Sequence, residues 1–110
     1  MIQYLNKDNF LKELSEERVT LVDFYADWCG PCQAIHPVLE ELSAEFDGRA
    51  TITKVDVDKE PGLAGIFNVR SIPTMVLFKD GEPVDVLVGL QSKGELRKRI
   101  SNLLPQEALV

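Results

Sequence analysis

The sequence is poor in several residue types, and each scarcity narrows the class of protein. It contains two cysteines, one histidine and one tryptophan, and its 18 acidic residues against 12 basic ones give a net charge of −6. A nucleic-acid-binding protein usually carries a clustered basic patch, so we expect no nucleic-acid partner. No apolar stretch approaches the roughly 20 residues of a membrane-spanning helix, so we expect no membrane segment.

The chain also lacks the marks of a targeting segment or of several domains. Its first residues, MIQYLNKDNF, contain no charged, apolar and cleavage regions in series, which predicts a cytoplasmic protein; a periplasmic protein with its signal removed stays an alternative. No repeat, linker or low-complexity tract interrupts the 110 residues. We therefore expect one domain over residues 1–110 with its own core, acting as a monomer.

The two cysteines, Cys29 and Cys32, stand in the segment WCGPC. A structural zinc site needs four ligands, and His36 is the single histidine that could join the pair, so we expect no metal. A structural disulfide across so short a loop would contribute at most about 2 kcal/mol, which a core of this size does not need. Redox chemistry is the interpretation that the pair favours.

The expected local structure supports redox chemistry. Gly30 and Pro31 follow a predicted strand and open a predicted helix, which puts Cys29 at the N-cap and Cys32 one turn inside. The helix N-terminus offers unpaired N–H groups and a partial positive charge, and both stabilise the reactive thiolate. Cys29 could then attack a target disulfide, and Cys32 could resolve the mixed disulfide without a bound cofactor.

Hydrophobic patterns predict nine elements in the order β-α-β-α-β-α-β-β-α. The run VTLVDFYA predicts a central strand buried on both faces, and Asp80-Gly81 predicts a hairpin turn. Asn6 or Asp8 is expected to cap a first helix with Phe10, Leu11 and Leu14 on one side. The strands are expected at Ile2–Leu5, Val19–Ala26, Ala50–Val57, Thr74–Phe78 and along Val84, Val86 and Val88. The later helices are expected to carry Cys32 to Phe46 with Pro37 as a kink, Pro61 to Phe67, and Leu96 to Leu104 after a capping box at Ser92–Glu95. A mixed sheet with helices on both faces is the natural arrangement.

An acid lies inside the buried run. Burial should raise the pKa of Asp23, because a carboxylate is costly to remove from water, and a nearby Lys54 would oppose the rise. Strand alternation alone leaves open whether the two side chains share a face. The hypothesis is that Asp23, directly or through water, takes the proton from Cys32 during resolution.

The segment DFYADWCGPC resembles the thioredoxin family, and the likeness continues through TKVDVDKEPGLAGIFNVRSIPTMVLFKDGE and VGLQSKGEL. The resemblance implies a thioredoxin fold and a general protein disulfide reductase with no bound cofactor beyond a Cys29–Cys32 disulfide. It implies Cys29 as nucleophile, Cys32 as resolving cysteine, Asp23 as the buried acid and Lys54 as its neighbour. The implied partners are protein disulfides and an NADPH-dependent thioredoxin reductase.

The resemblance also implies a docking surface and a special peptide bond. An X–Pro bond is cis in only about one case in twenty, so the cis assignment of Pro73 rests on the resemblance, supported by the position of this proline just before a strong strand. The positions that would shape the apolar surface for target chains are Trp28, Gly30, Pro31, Ile72 and Gly89.

Some residues depart from the family pattern or leave alternatives open. Many family members carry a cation where this chain has Gln33, and Asp27 adds an anion before Cys29, so both disfavour the thiolate. His36, one turn after Cys32, is either a partly exposed helix residue or a titrating neighbour of that thiol. An oxidase or isomerase on the same fold, and a binding subunit with incidental cysteines, stay as alternative functions; Gly30-Pro31 favours a reductant.

Overall fold

The computed structural model describes residues 1–15 and 18–105, so residues 16–17 and 106–110 of the expected domain lie outside the described residues. The order β-α-β-α-β-α-β-β-α is confirmed within them. The strands are β1 (Gln3–Tyr4), β2 (Val19–Tyr25), β3 (Ala50–Asp56), β4 (Thr74–Lys79) and β5 (Glu82–Val88). The helices are α1 (Phe10–Leu14), α2 (Gly30–Glu45), α3 (Pro61–Ile66) and α4 (Lys93–Leu103).

The five strands form one mixed sheet in the order β1-β3-β2-β4-β5. Strand β2 lies at the centre, parallel to β3 and antiparallel to β4, and its first six residues are buried. The continuous apolar run therefore marks a strand covered on both faces, as predicted. The parallel strands β2 and β3 end at the same edge of the sheet, and the chain leaves β2 there to enter α2.

Two apolar clusters cover the two faces of the sheet. Leu21 and Ile52 belong to the cluster under α2 and α4, together with Leu39 and Ile100. The opposite face packs Val22, Phe24, Val55, Val76 and Phe78 against α1 and α3. Because side chains alternate along a strand, Asp23 shares the face of Leu21 and Lys54 shares that of Ile52, so both point towards α2.

The first helix differs from its prediction in two ways. Its N-cap residue is Asn9, which makes no side-chain capping bond, whereas the Asn6 carboxamide oxygen accepts hydrogen bonds from the backbone N–H groups of Asp8 and Asn9 in the preceding turn. Leu11 is 79% exposed, while Phe10 and Leu14 are buried. In this short helix only the i, i+4 positions face the sheet, so Leu11, one residue further on, points outward.

The predicted cap of the last helix and the predicted hairpin turn are both confirmed. The backbone N–H of Glu95 donates to Ser92 Oγ at 3.1 Å, which caps α4. Asp80 and Gly81 both adopt positive φ, as a two-residue hairpin turn of this type requires. Crowding by the backbone also favours Gly81, because an added Cβ would lie 3.0 Å from the Leu14 carbonyl oxygen.

Candidate active site

The two cysteines lie at the start of α2 and form a disulfide. Cys29 is the N-cap residue with extended backbone angles, and Pro31 lies in the first turn. The backbone N–H of Cys32 points at Cys29 Sγ, 3.2 Å away. A sulfur at this position receives a helix N–H and the positive end of the helix, so the site favours a Cys29 thiolate once the disulfide is reduced.

The loop before β4 approaches the cysteine pair from the other side. The Ile72–Pro73 peptide bond is cis, and the Ile72 carbonyl oxygen lies 3.8 Å from Cys29 Sγ. The backbone N–H of Gly89 donates to the Pro73 carbonyl at 2.8 Å, and Gly89 has φ +87°, which favours glycine. These contacts bring Ile72, Pro73 and Gly89 together beside Cys29.

Trp28 is a surface residue rather than part of the core. Its side chain is 71% exposed, and its indole Nε1–H donates to Asp58 Oδ2 at 2.8 Å. The exposed indole therefore stands next to Cys29 with its polar edge already satisfied, as expected of an aromatic contact surface. Asp58, from the loop after β3, carried no signal in the sequence that would connect it with the tryptophan.

Asp23 and Lys54 lie side by side on the neighbouring parallel strands β2 and β3. The Asp23 side chain is fully buried, and neither of its carboxyl oxygens has a hydrogen-bond partner among the described residues. Lys54 Nζ lies 3.8 Å from Asp23 Oδ2, which is an ion-pair distance but too long for a strong hydrogen bond. The register answers the question that strand alternation left open: the two side chains share a face.

Burial dominates the electrostatics of this pair. Loss of hydration raises the pKa of Asp23 from 3.8 to about 7, and the attraction of Lys54 opposes the rise only in part. Burial also lowers the pKa of Lys54, against the attraction of Asp23, Asp27 and Glu40. Both shifts favour the uncharged forms, because removing either charge from water costs more than the pair returns. A carboxyl group with a pKa near neutrality can both accept and release a proton under ordinary conditions.

A cavity of about 280 Å³ lies beside the inner cysteine. Cys32 and Lys54 both line it, together with Gln33 and His36 from α2. The Gln33 amide donates to the Asp27 carbonyl at 2.7 Å, which fastens the start of α2 to the loop after β2. Lys54 therefore borders the same space as Cys32, while Asp23 is not among the residues that line it.

His36 is a partly exposed helix residue, and its nearest polar contact is Lys54. Its Nδ1 lies 2.9 Å from Lys54 Nζ, across the gap between α2 and β3. Sequence spacing drew attention to Cys32, four residues before His36 in the helix. The contact with Lys54 was missed because it joins residues on different elements, and no periodic pattern reports such a contact.

Residues 1–15 and 18–105 hold no cluster of three or more histidine, cysteine or acidic side chains arranged for a metal ion. None of the helices in these residues is long and apolar enough to cross a membrane.

A disulfide-forming cysteine pair at a helix start, on a mixed sheet with helices on both faces, defines a thiol–disulfide oxidoreductase. The comparisons with known proteins agree: the family model described as Thioredoxin matches residues 1–102. The chain therefore belongs to the thioredoxin family, and its fold is the thioredoxin fold.

Individual relatives support the same assignment. A thioredoxin of Staphylococcus saprophyticus is 57% identical over 86 residues, covering 78% of this chain and 83% of the relative. A thioredoxin of Staphylococcus haemolyticus is 55% identical over 89 residues, covering 81% and 86%. Among solved structures, a mutant thioredoxin from Halobacterium salinarum superposes with a TM-score of 0.89 at 40% identity, covering 97% of this chain and 94% of that one.

Proposed function

We propose that this thiol–disulfide oxidoreductase reduces disulfides in other proteins, with Cys29 as nucleophile and Cys32 as resolving cysteine. The observation that carries the choice of nucleophile is the environment of Cys29 Sγ, which receives the N–H of Cys32 at a helix start. Gly30 and Pro31 separate the two cysteines, and neither adds a cation that would stabilise the reduced thiolate further. A less stabilised reduced form is a stronger reductant.

The reaction would proceed in two exchanges. The Cys29 thiolate attacks one sulfur of the target disulfide, forms a mixed disulfide and releases the other target sulfur as a thiolate. Cys32 gives its proton to Asp23, attacks Cys29 Sγ and releases the second target thiolate. The target gains two electrons and the Cys29–Cys32 dithiol loses two, while protons from Asp23 and water end on the target thiols.

Asp23 suits the role of proton acceptor because its pKa is raised to about 7. A carboxylate with an ordinary pKa would be a weak base for a thiol, and matched pKa values favour transfer. Lys54 moderates the same pKa, and it borders the cavity that Cys32 also lines. The proposed route of the proton is from Cys32 to Asp23, directly or through water.

The docking of target chains is proposed for the apolar surface around Cys29. Trp28 offers an exposed ring on one side, and Ile72 with Gly89 offers backbone and an apolar side chain on the other. The Ile72 carbonyl lies 3.8 Å from Cys29 Sγ, where an extended target segment would pair with the backbone.

The proposed reaction consumes reducing equivalents, so a partner must restore the dithiol. We propose an NADPH-dependent thioredoxin reductase for that step, acting on a monomer that folds as one domain. A dithiol that works as a reductant needs a compartment that keeps thiols reduced, which favours the cytoplasm.

The test measures reduction of insulin by dithiothreitol, with turbidity as the readout. We expect the wild type to accelerate precipitation, Cys29→Ser to abolish the acceleration, and Asp23→Asn to slow resolution of a preformed mixed disulfide at pH 7. Equal turbidity with Cys29→Ser would leave only a binding role. A redox potential in the oxidising range against glutathione would favour an oxidase or isomerase, and unslowed resolution with Asp23→Asn would remove Asp23 from the mechanism.

A further inference from the structure

A chain of polar contacts leads from the buried carboxyl group to the protein surface. Asp23 Oδ2 lies 3.8 Å from Lys54 Nζ, and Lys54 Nζ lies 2.9 Å from His36 Nδ1. On the far side of the ring, His36 Nε2 lies 3.3 Å from Glu40 Oε1, one helical turn along α2. Along this chain the side-chain exposure rises from 0% at Asp23 to 4%, 34% and 62%.

The positions of the hydrogen atoms follow from the donors and acceptors. An ammonium group has no lone pair, so Lys54 must donate and His36 Nδ1 must accept. The imidazole is then neutral with its hydrogen on Nε2, which faces the Glu40 carboxylate.

The Lys54 ammonium depends on this contact because few other groups solvate it. Lys54 is 4% exposed, and the distance of 3.8 Å to Asp23 is too long for a strong hydrogen bond. The ammonium also lies 4.2 Å from the centre of the Tyr25 ring, which attracts it without accepting a conventional hydrogen bond. The imidazole nitrogen is therefore the strong acceptor that keeps the ammonium in place inside the protein.

We propose that His36 is a positioning residue that holds the Lys54 ammonium beside Asp23 and thereby sets the pH range in which Asp23 accepts the proton of Cys32. The role of Asp23 in this statement rests on the proposed function. Without the His36 acceptor, the buried ammonium either loses its proton or turns towards water. In both cases less positive charge remains near Asp23, and its ionised form becomes harder to reach.

Other charges around the pair bear on the same balance. The charged and titratable groups that face Lys54 and His36 are Tyr4 of β1, Asp23 and Tyr25 of β2, Asp27 after β2, Cys32 and Glu40 of α2, and, around a second opening to Lys54, Asp56, Lys59 and Glu60. Asp23, Asp27 and Glu40 favour the charged lysine, and burial opposes them. Beside these groups, the His36 ring offers its Nδ1 at hydrogen-bond distance from Lys54 Nζ.

The test follows the Asp23 carboxyl carbon by 13C NMR through a pH titration of the oxidised protein. We expect His36→Ala to raise the titration midpoint by about 0.5 to 1 pH unit, because part of the attraction from Lys54 is lost. His36→Gln should shift the midpoint less, since its carboxamide oxygen can still accept a hydrogen bond from Lys54. In a Lys54→Met background, His36→Ala should add no further shift.

A matched control separates positioning from a change in hydration. Gln33→Ala removes a side chain from the wall of the same cavity, and its amide binds the Asp27 carbonyl rather than Lys54. We expect this variant to leave the Asp23 midpoint unchanged. The inference is overturned by an unchanged or lowered midpoint in His36→Ala, by an equal shift in Gln33→Ala, or by a shift that persists without Lys54. These outcomes concern a titration, so they stand apart from the kinetic test of Asp23 as proton acceptor.

Discussion

Helix α2 borders two ion pairs of opposite character. On its outer side Glu45 binds Arg97 of α4 through two hydrogen bonds, with Nε to Oε2 at 2.6 Å and NH2 to Oε1 at 3.0 Å, in an exposed position. On its inner side Asp23 and Lys54 are almost entirely buried, 3.8 Å apart. The outer pair thus has the shorter and better aligned hydrogen bonds. The inner pair lies in the low-dielectric interior, where charges interact most strongly.

The difference shows that the inner pair is not accounted for by a contribution to the stability of the fold. A buried carboxyl group without hydrogen bonds destabilises a fold, and an ion pair at this distance compensates for the lost hydration only in part. What the arrangement does provide is a raised pKa for Asp23, close to that of a group that exchanges protons at neutral pH. The outer pair joins two helices at the surface, where water and salt weaken it.

The largest expected effect concerns the inner carboxyl group. Asp23→Asn should stabilise the oxidised protein at pH 8 by about 1 to 4 kcal/mol, the upper figure following from about 1.4 kcal/mol for each unit between 3.8 and about 7. The remaining amide is still buried without partners, and Lys54 loses an opposite charge, so the gain falls below the upper figure. Urea unfolding of both proteins at several pH values measures it.

The stability difference between Asp23→Asn and the wild type should change with pH. Between pH 4 and 7 the folded Asp23 stays protonated while the unfolded one ionises, so the contribution of Asp23 to wild-type stability falls with rising pH and becomes level above about 7. Asp23→Asn lacks this fall, so the difference between the two proteins should be smallest near pH 4 and largest above pH 7. A difference that is constant over this range would show that Asp23 has an ordinary pKa.

An intermediate effect is expected at the other member of the inner pair. Lys54→Met should be more stable than the wild type at pH 5, where Asp23 is neutral and no longer attracts the buried ammonium. The advantage should shrink or reverse by pH 9, because the Asp23 carboxylate then lacks its cation. The stability lost in this way is about 1.4 kcal/mol for each unit by which Lys54 lowers the pKa of Asp23. Urea unfolding at the two pH values checks the change, and parallel profiles would contradict it.

The comparison also shows what sequence could and could not predict. Hydrophobic patterns along the chain predicted the order of the elements, and the cysteine spacing with Pro31 predicted a redox pair at a helix start, because each of these depends on neighbours along the chain. The acid in that run was visible, and so was its raised pKa as an expectation. Its pairing depends on the register between β2 and β3, and the contact of His36 with Lys54 depends on how α2 packs over β3. These are distances between elements, which no local pattern contains.

The smallest effect is expected at the outer pair, where the geometry is best. Arg97→Gln removes both hydrogen bonds to Glu45, yet both side chains are open to water, which solvates Glu45 at once. We expect a shift of the urea midpoint smaller than that of Asp23→Asn, and smaller still in 1 M salt, where the range of the attraction falls to about 3 Å. Arg99→Gln, also on α4, removes bonds to Asp85 of β5 and Glu95 of α4 and is the matched control. If Arg97→Gln matched the inner substitutions in size and ignored salt, short distance rather than burial would decide what an ion pair contributes in this fold.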